Sequence, residues 1–196
     1  MTSAAFAAEA EKCGIDYLGF IFCGKSPRHL TDSKAREIVE ALCGKARRVG
    51  VFTDAPLDEM LEKARLLRLS VVQLHGAFPA TVAAKLQENG LEVWKLAVSR
   101  QDVVPSYPCD AFIIDAKRPG VPGGTGLHSD WSLVSSAHDA GKKAVLAGGI
   151  SPENLCKAAS SGADVLDLNS SLESPRGVKS MERLAALKEK LKAFAA

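Results

Sequence analysis

Seven short apolar runs alternate with amphipathic segments along the chain, and this alternation restricts the fold more than any other feature of the sequence. The runs are rich in β-branched and aromatic residues and do not alternate polar with apolar positions, which is typical of strands covered on both faces of a parallel sheet. In chain order they are YLGFIF, RRVGVF, SVVQLH, EVWKLAV, CDAFIID, KAVLAGG and ADVLDLN. The pattern predicts repeated β/α units around a parallel sheet.

Two folds commonly satisfy such a pattern, the closed eightfold barrel and the open doubly wound sheet. The open sheet predicts a glycine-rich dinucleotide loop after an early strand, and the stretch FIFCGKSPR has no such fingerprint. The barrel predicts functional residues at the carboxyl ends of several strands. Residues of that kind lie at the ends of the runs or shortly after them, at Arg28, Gln73, His75, Asp115, Gly148, Gly149, Asp167, Asn169 and Ser170. We therefore predict an α/β fold, a (β/α)8 TIM barrel, as a single domain over residues 1–196.

The order of the elements departs from a complete barrel. Seven predicted strands accompany eight helical segments, and the first element, MTSAAFAAEAEKCG, is a helix. One strand of the eightfold pattern is therefore expected to be missing in front of Met1, which makes the predicted domain N-terminally truncated. An unclosed barrel leaves two open strand edges, and a homodimer through these edges is one expected outcome.

Charge and composition exclude several classes of function. The formal net charge is +2, and the lysines and arginines are scattered, so no nucleic-acid partner is predicted. No apolar run approaches the roughly 20 residues of a membrane span, and the start lacks the features of a signal peptide, so no membrane partner and a cytoplasmic location are expected. The five cysteines show no paired C-x-x-C spacing, so neither a disulfide framework nor a metal site is predicted.

Two late motifs, LAGGISPEN and DLNSSLE, are apolar strands that lead into small residues. Such residues let a phosphate approach backbone N–H groups, and the last two strands of a barrel commonly form a phosphate site. The alternative is that both are ordinary strand-to-helix turns. A third glycine-rich stretch, KRPGVPGGTGLHSDW, is long for a connector and is typical of a lid or ligand loop.

Four polar residues at strand ends are candidates for acid, base or binding roles. Asp115 suits a general acid if its surroundings raise its pKa, although a lone aspartate there is more often a cap. Asp167 has the same relation to the last strand and the same alternative, orientation of a loop. Arg28 suits a bidentate clamp on a carboxylate, or is a solvated loop arginine. His75 is a substrate-proximal residue at most, because no neighbouring ligand indicates a metal.

Taken together, LGFIFCGKSPRHL, RVGVF, VVQLHG, FIIDAKRPGVPGGTGLHSDWSL, LAGGISPENL and DLNSSLE resemble the phosphoribosylanthranilate isomerase family. That family uses a (β/α)8 barrel in tryptophan biosynthesis. The resemblance implies an Amadori rearrangement of N-(5-phosphoribosyl)anthranilate to 1-(2-carboxyphenylamino)-1-deoxyribulose 5-phosphate. It implies a small phosphosugar substrate and no cofactor or metal.

The resemblance also implies roles for individual residues. Asp115 matches the general acid that protonates the ribose ring oxygen. Arg28 matches the arginine that holds the anthranilate carboxylate, and Asp167 the carboxylate near the substrate amine. Gln73 and His75 are placed among the substrate-binding residues. The phosphate is expected on backbone groups at Gly124, Gly126, Gly148, Gly149, Asn169 and Ser170.

The family's general base, a cysteine in a Lys-Ile-Cys-Gly strand before the first helix, has no match in this sequence. The resemblance therefore implies that the chain as given is nearly inactive. Cys13 is expected on the wrong face of the barrel, and Cys23 is expected to be a spectator. Ser171 stands where the family usually has glycine, and it would be strained there if the position needs a positive φ. The alternatives are a non-catalytic phosphosugar-binding barrel and another phosphate-binding barrel enzyme, such as indole-glycerol-phosphate synthase.

Overall fold

The computed structural model describes residues 1–115 and 130–195, and in them a parallel sheet is surrounded by helices. The strands β1 to β7 are Tyr17–Ile21, Arg47–Phe52, Val71–Leu74, Glu92–Ala97, Ala111–Ile114, Lys143–Leu146 and Val165–Leu166. The helices α1 to α7 are Ala4–Lys12, Asp32–Glu40, Leu57–Leu67, Ala80–Glu88, Leu133–Asp139, Leu155–Ala159 and Met181–Ala195. Each strand lies inside one of the seven apolar runs, which confirms the predicted β/α alternation.

The sheet follows chain order from β1 to β7, and every neighbouring pair of strands is parallel. Successive strand residues point to opposite faces of a sheet. In β5, Phe112 and Ile114 pack on the helices, whereas Ile113 belongs to a second cluster on the inner face. The buried members of this inner cluster are Val49, Val71, Trp94, Ala111, Ile113, Val145 and Ala147. A curled parallel sheet with helices outside and an apolar inner face is the barrel-type α/β architecture that the sequence predicts.

The connection between β4 and β5 differs from the predicted helical segment. It holds a single 3-10 turn, Arg100–Asp102, where a crossover helix of several turns was expected. Asp102 fixes this turn, because its carboxylate accepts hydrogen bonds from the N–H groups of Val98 and Ser99, at 3.0 and 2.8 Å. A strong local cap therefore replaces the helix here, since the polar stretch SRQD offers no apolar face to pack.

Strands β1 and β7 are the two ends of the sheet among the described residues, with no pairing between them. The space beside their edges is lined by apolar side chains from the first and last helices, including Phe6 and Ala10 of α1 and Leu184 and Leu187 of α7. The Met1 amino group donates a hydrogen bond to the Gly19 carbonyl in β1. Nowhere in residues 1–115 and 130–195 is a helix both long and apolar enough to cross a membrane.

A buried carboxylate joins the end of α1 to the loop before β2. Glu11 is 4% exposed and accepts hydrogen bonds from three backbone N–H groups, those of Cys43 at 2.5 Å, Lys45 at 2.8 Å and Ala46 at 2.9 Å. Burial acts to raise the pKa of the Glu11 carboxyl, but these N–H groups outweigh it, and the pKa lies below its ordinary value. The ionised carboxylate therefore stabilises the fold by satisfying donors that would otherwise be buried without partners.

Replacing Glu11 by glutamine removes the charge and one acceptor oxygen, so we expect E11Q to lower the free energy of unfolding by about 2 kcal/mol at pH 7. Because the folded-state pKa is lowered, this stabilisation is complete above the ordinary carboxyl pKa and disappears as the pH falls through the folded-state value. Urea unfolding of the wild type and E11Q between pH 7 and pH 3 measures the difference.

The matched control is Glu37→Gln, because Glu37 is exposed and pairs only with Lys34 of the same helix among the described residues. We expect E37Q to change the free energy of unfolding by less than about 0.5 kcal/mol. Equal effects of E11Q and E37Q would contradict the stabilising role of the buried carboxylate.

Candidate active site

A cavity of about 330 Å³ lies on the inner face of the sheet and reaches the carboxyl ends of the strands. Six of the predicted site residues line it, namely Arg28, Gln73, His75, Asp115, Asp167 and Asn169. The remaining predicted residues behave differently. Gly148, Gly149 and Ser170 are not among the described residues that line it, and Gly124 and Gly126 lie outside the described part of the chain.

Strand periodicity explains why the two aspartates face the cavity. Asp115 comes two residues after Ile113, and Asp167 two residues after Val165, so each continues the inner face beyond the end of its strand. Their backbones are still held in strand-like contacts, because the N–H of Asp167 donates to the Leu146 carbonyl at 2.8 Å. The predicted positions of these side chains therefore follow from the register of the parallel strands.

Asp115 and Asp167 form an electrostatically coupled pair. Burial raises the pKa of the Asp167 carboxyl, and the negative charge of Asp115 raises it further. Lys179 and Arg28 act in the opposite direction through their positive charges. Asp167 therefore holds its proton to a higher pH than an exposed aspartate does.

Arg28 is buried and not a solvated loop arginine. It is 8% exposed, and its Nε and Nη2 groups both donate to the Glu173 carboxylate, each at 2.6 Å. Burial acts to raise the pKa of Glu173, but the Arg28 hydrogen bonds, the Gly177 N–H and the charge of Lys179 lower it to about 2. Glu173 therefore stays ionised at neutral pH, and the fork-shaped pair fixes the plane of the guanidinium.

Lys179 is a second buried cation at the cavity, with 5% of its side chain exposed. Its Nζ donates to the carbonyl and to the side-chain oxygen of Asn169, both at 2.8 Å, and lies 3.3 Å from Glu173 Oε1. Burial lowers the pKa of the Lys179 ammonium, and the charge of Glu173 partly offsets that effect. Lys179 thereby connects the turn after β7 to the Arg28–Glu173 pair.

Gln73 lies in β3 and His75 directly follows that strand, and both side chains line the cavity. The Gln73 Nε2 group lies 3.0 Å from His75 Nδ1. The short contact between the two side chains fixes the orientation of the imidazole ring at the cavity.

The two predicted phosphate turns are built differently. Gly148 and Gly149 have φ of 80° and 76°, a left-handed pair that residues with a side chain rarely adopt. Asn169 precedes a 3-10 turn, Ser170–Leu172. Among the described residues outside glycine, Arg68 alone has a positive φ, so the condition under which Ser171 would be strained is not met.

The Ser171 hydroxyl is buried, and the described residues offer it no hydrogen-bond partner. The Ser171 carbonyl accepts a hydrogen bond from Arg183 at 3.1 Å. The position is thus held through its backbone, and the structure gives no reason for serine in place of glycine.

Cys23 lines the cavity, whereas Cys13 caps the carboxyl end of α1 and does not line it. Both are free thiols. The placement agrees with the predicted location of Cys13 away from the site. In the part of the chain that the structure describes, no group of three or more His, Cys, Asp or Glu side chains is arranged to hold a metal ion.

Sequence reasoning missed Glu173 and Lys179. Glu173 ends the DLNSSLE motif, and Lys179 lies in the loop that follows. Charged residues in a loop normally read as solvent-facing, and neither lies on a periodic strand or helix face. The available signal was their position after the last strand of a barrel, where loops contribute to the site.

The family comparison covers almost the whole chain. The model of the N-(5'-phosphoribosyl)anthranilate (PRA) isomerase family matches residues 1–190. The N-(5'-phosphoribosyl)anthranilate isomerase of Rubrobacter xylanophilus is 39% identical over 189 residues, which cover 93% of this chain and 91% of that protein. The isomerase of Paracoccus denitrificans is 38% identical over 198 residues, with 94% and 90% covered.

Solved structures agree with this result. The phosphoribosyl anthranilate isomerase of Thermus thermophilus superposes with a TM-score of 0.86 at 35% identity, covering 99% of this chain and 96% of that one. An isomerase in complex with reduced 1-(o-carboxyphenylamino)-1-deoxyribulose 5-phosphate gives 0.83 at 27% identity, with 98% and 95% covered. Monomers derived from the dimeric Thermotoga maritima isomerase give 0.82 at 29% identity, with 98% and 95% covered. Sequence and fold together show that the chain belongs to the N-(5'-phosphoribosyl)anthranilate isomerase family.

Proposed function

We propose that this chain acts as a phosphoribosylanthranilate isomerase of tryptophan biosynthesis. It converts N-(5-phosphoribosyl)anthranilate to 1-(2-carboxyphenylamino)-1-deoxyribulose 5-phosphate. The observation that carries the proposal is the placement of a coupled pair of carboxyl groups and a buried arginine in one cavity at the strand ends. The substrate has a basic ring oxygen, an amine and an anionic aryl carboxylate, and the cavity supplies a group suited to each.

Proton transfer is assigned to Asp115 as the general acid. Ring opening requires a proton on the ribose ring oxygen as the C1–O bond breaks and the amine forms a Schiff base. The acid role is assigned to Asp115 because its side chain lines the cavity at the end of its strand, where the ribose ring oxygen would bind. Asp167, on the same cavity, is proposed to stabilise the positively charged Schiff-base nitrogen as a carboxylate.

Arg28 is proposed to bind the anthranilate carboxylate. The guanidinium has five N–H donors, and two of them are used by Glu173. The other three make no hydrogen bond to the described residues, and the side chain lines the cavity. A planar donor set of this kind matches a carboxylate.

The phosphate is proposed to bind the turns at Gly148, Gly149, Asn169 and Ser170. Gly124 and Gly126, which lie outside the described residues, remain part of that prediction. In the described structure the backbone N–H groups of these four residues are not engaged by any carbonyl or carboxylate. The left-handed pair at Gly148 and Gly149 lets an anion approach closely, because no Cβ is in the way. Backbone donors that have no partner among the described residues, at the last two strand ends of a barrel, suit a phosphate.

The general base is the one group of the proposed mechanism without a match in the 196 residues. The resemblance assigns it to a cysteine in a Lys-Ile-Cys-Gly segment. Turnover of phosphoribosylanthranilate, followed by the loss of its fluorescence, is therefore compared for this chain and for a chain extended by that segment. We expect the extended chain to be at least about 100-fold faster, because a general base contributes that much.

Two other results of this turnover comparison are possible. Equal turnover by both chains would contradict the assigned base, and Cys23 would be the next residue to replace. Absence of turnover by both would contradict the proposed isomerase. If both then bound reduced 1-(o-carboxyphenylamino)-1-deoxyribulose 5-phosphate, a non-catalytic phosphosugar-binding barrel would be supported.

Replacing Asp115 by asparagine, in whichever chain turns over, is expected to lower kcat by about 10²–10⁴-fold, because the amide cannot donate the catalytic proton. Binding of the reduced product analogue is expected to remain within about threefold, since asparagine preserves the shape and polarity. The matched control is Asp58→Asn on the exposed start of α3, which leaves kcat unchanged. An active D115N enzyme would remove Asp115 from the acid role.

Coupling of the two carboxyl groups has a test that needs no activity. Removing the charge of Asp115 in D115N is expected to lower the pKa of Asp167, because a repulsive negative charge is lost. Replacing Lys179 by methionine is expected to raise that pKa, because an attractive positive charge is lost. Carboxyl ¹³C NMR titration of Asp167 measures both shifts, and D58N serves as the control. Shifts of the opposite sign would contradict the arrangement.

The location and assembly of the protein are also proposed. A cytoplasmic location suits an enzyme with a phosphorylated metabolite as substrate, and the composition agrees with it. The dimeric state named for the Thermotoga maritima isomerase supports a homodimer here. The outer edges of β1 and β7, which pair with no further strand among the described residues, are the proposed contact between copies.

A further inference from the structure

Glu173 lies behind Arg28 as seen from the cavity. Arg28 lines the cavity, whereas Glu173 is not among its lining residues, and only 1% of the Glu173 side chain is exposed. A carboxylate in this place does not meet a ligand directly. It acts on the site through the arginine in front of it.

Two other groups hold Glu173 in place. The Gly177 N–H donates to Oε2 at 3.0 Å, and the Lys179 ammonium lies 3.3 Å from Oε1. Both oxygens are thus anchored from the loop after β7, on the opposite side of the sheet opening from the loop that carries Arg28. The Glu173 carboxylate is therefore held in a fixed position against the Arg28 guanidinium.

The geometry of the contact between Arg28 and Glu173 determines which N–H donors of Arg28 remain available to a ligand. Glu173 takes the edge made by Nε and Nη2, at 2.6 Å each. A guanidinium bound along that edge cannot rotate about its stem, and its outer edge, with Nη1 and the second proton of Nη2, keeps one orientation. A ligand carboxylate thus meets a donor pair that is already ordered.

We propose that Glu173 is a positioning residue that orients Arg28 to select ligands with an aryl carboxylate. The proposal rests on the proposed function, because it assumes that Arg28 binds the anthranilate carboxylate. Glu173 transmits no proton and touches no substrate atom. Its proposed effect on the aryl carboxylate passes through Arg28.

A competing role for the same contact predicts the opposite result. A negative charge beside Arg28 also weakens the attraction of the arginine for an anion. If neutralisation outweighed orientation, removing the Glu173 charge would strengthen binding of a carboxylated ligand. The sign of the effect therefore distinguishes positioning from competition.

The test uses two ligands with the full 196-residue chain. One is reduced 1-(o-carboxyphenylamino)-1-deoxyribulose 5-phosphate, and the other is the same compound without the aryl carboxylate. The ratio of their dissociation constants, measured by calorimetry, isolates the contribution of the carboxylate. Because both ligands are measured on one folded sample, a general loss of stability does not change the ratio.

For the wild type we expect the carboxylated ligand to bind about 10–100-fold more tightly, as for a charged hydrogen-bonded pair. In Glu173→Gln we expect that ratio to fall by about tenfold, with the affinity for the ligand without carboxylate within about twofold of the wild type. The matched control is Glu189→Gln, an exposed residue of α7 paired with Lys192, which leaves the ratio unchanged.

The remaining outcomes overturn one proposal or the other. An unchanged or larger ratio in E173Q contradicts the positioning role while the isomerase function stands. If the two dissociation constants of the wild type are nearly equal, or if neither ligand binds, the proposed binding of the aryl carboxylate by Arg28 is contradicted. The role of Glu173 is then contradicted as well. If E173Q does not fold, Glu173→Asp replaces it, because the shorter side chain keeps the charge but cannot reach both Arg28 donors, and the same fall in ratio is expected.

Discussion

Parallel pairing of the strands is the constraint on which the rest of the structure depends. It brings the carboxyl ends of all seven strands to one side of the sheet, so residues far apart in sequence, such as Arg28 and Asp167, meet in one cavity. The two-residue period of each strand then decides which side chains face inward. The inner cluster on that face is apolar, and charges beside apolar, low-dielectric surroundings act on one another more strongly than in water.

The charges of the site are arranged in two linked groups. Asp115 and Asp167 repel each other, and Arg28 and Lys179 moderate that repulsion. Glu173 joins the two cations and is itself satisfied by four donors. Buried ion pairs contribute little net stability once desolvation is counted. The network is therefore better explained by the orientation that it gives to Arg28 than by a contribution to the stability of the fold.

Much of this arrangement was predictable from sequence, because side chains alternate between the two faces of a strand and the residues at its end continue that alternation. The runs FIID and DVLDLN place Asp115 and Asp167 at strand ends, and the structure puts both at the cavity. Loops lack such a period, so the inward turn of Glu173 and Lys179 depends on contacts between distant segments that no local pattern records. The 3-10 turn at Arg100–Asp102 was missed for a related reason, since a local aspartate cap competed with helix propensity. The glycine-rich stretch with Gly124 and Gly126 lies outside the described residues, and its predicted role stays a prediction.

The central claim is that the cavity and the turns after β6 and β7 bind the two ends of an anthranilate phosphosugar in a single orientation. A crystal structure of the chain with reduced 1-(o-carboxyphenylamino)-1-deoxyribulose 5-phosphate tests it most directly. The account predicts the aryl carboxylate on the outer edge of Arg28 and the phosphate on the N–H groups of Gly148, Gly149, Asn169 and Ser170. A ligand that contacts neither Arg28 nor these turns, or that binds with its two ends exchanged, would contradict this claim.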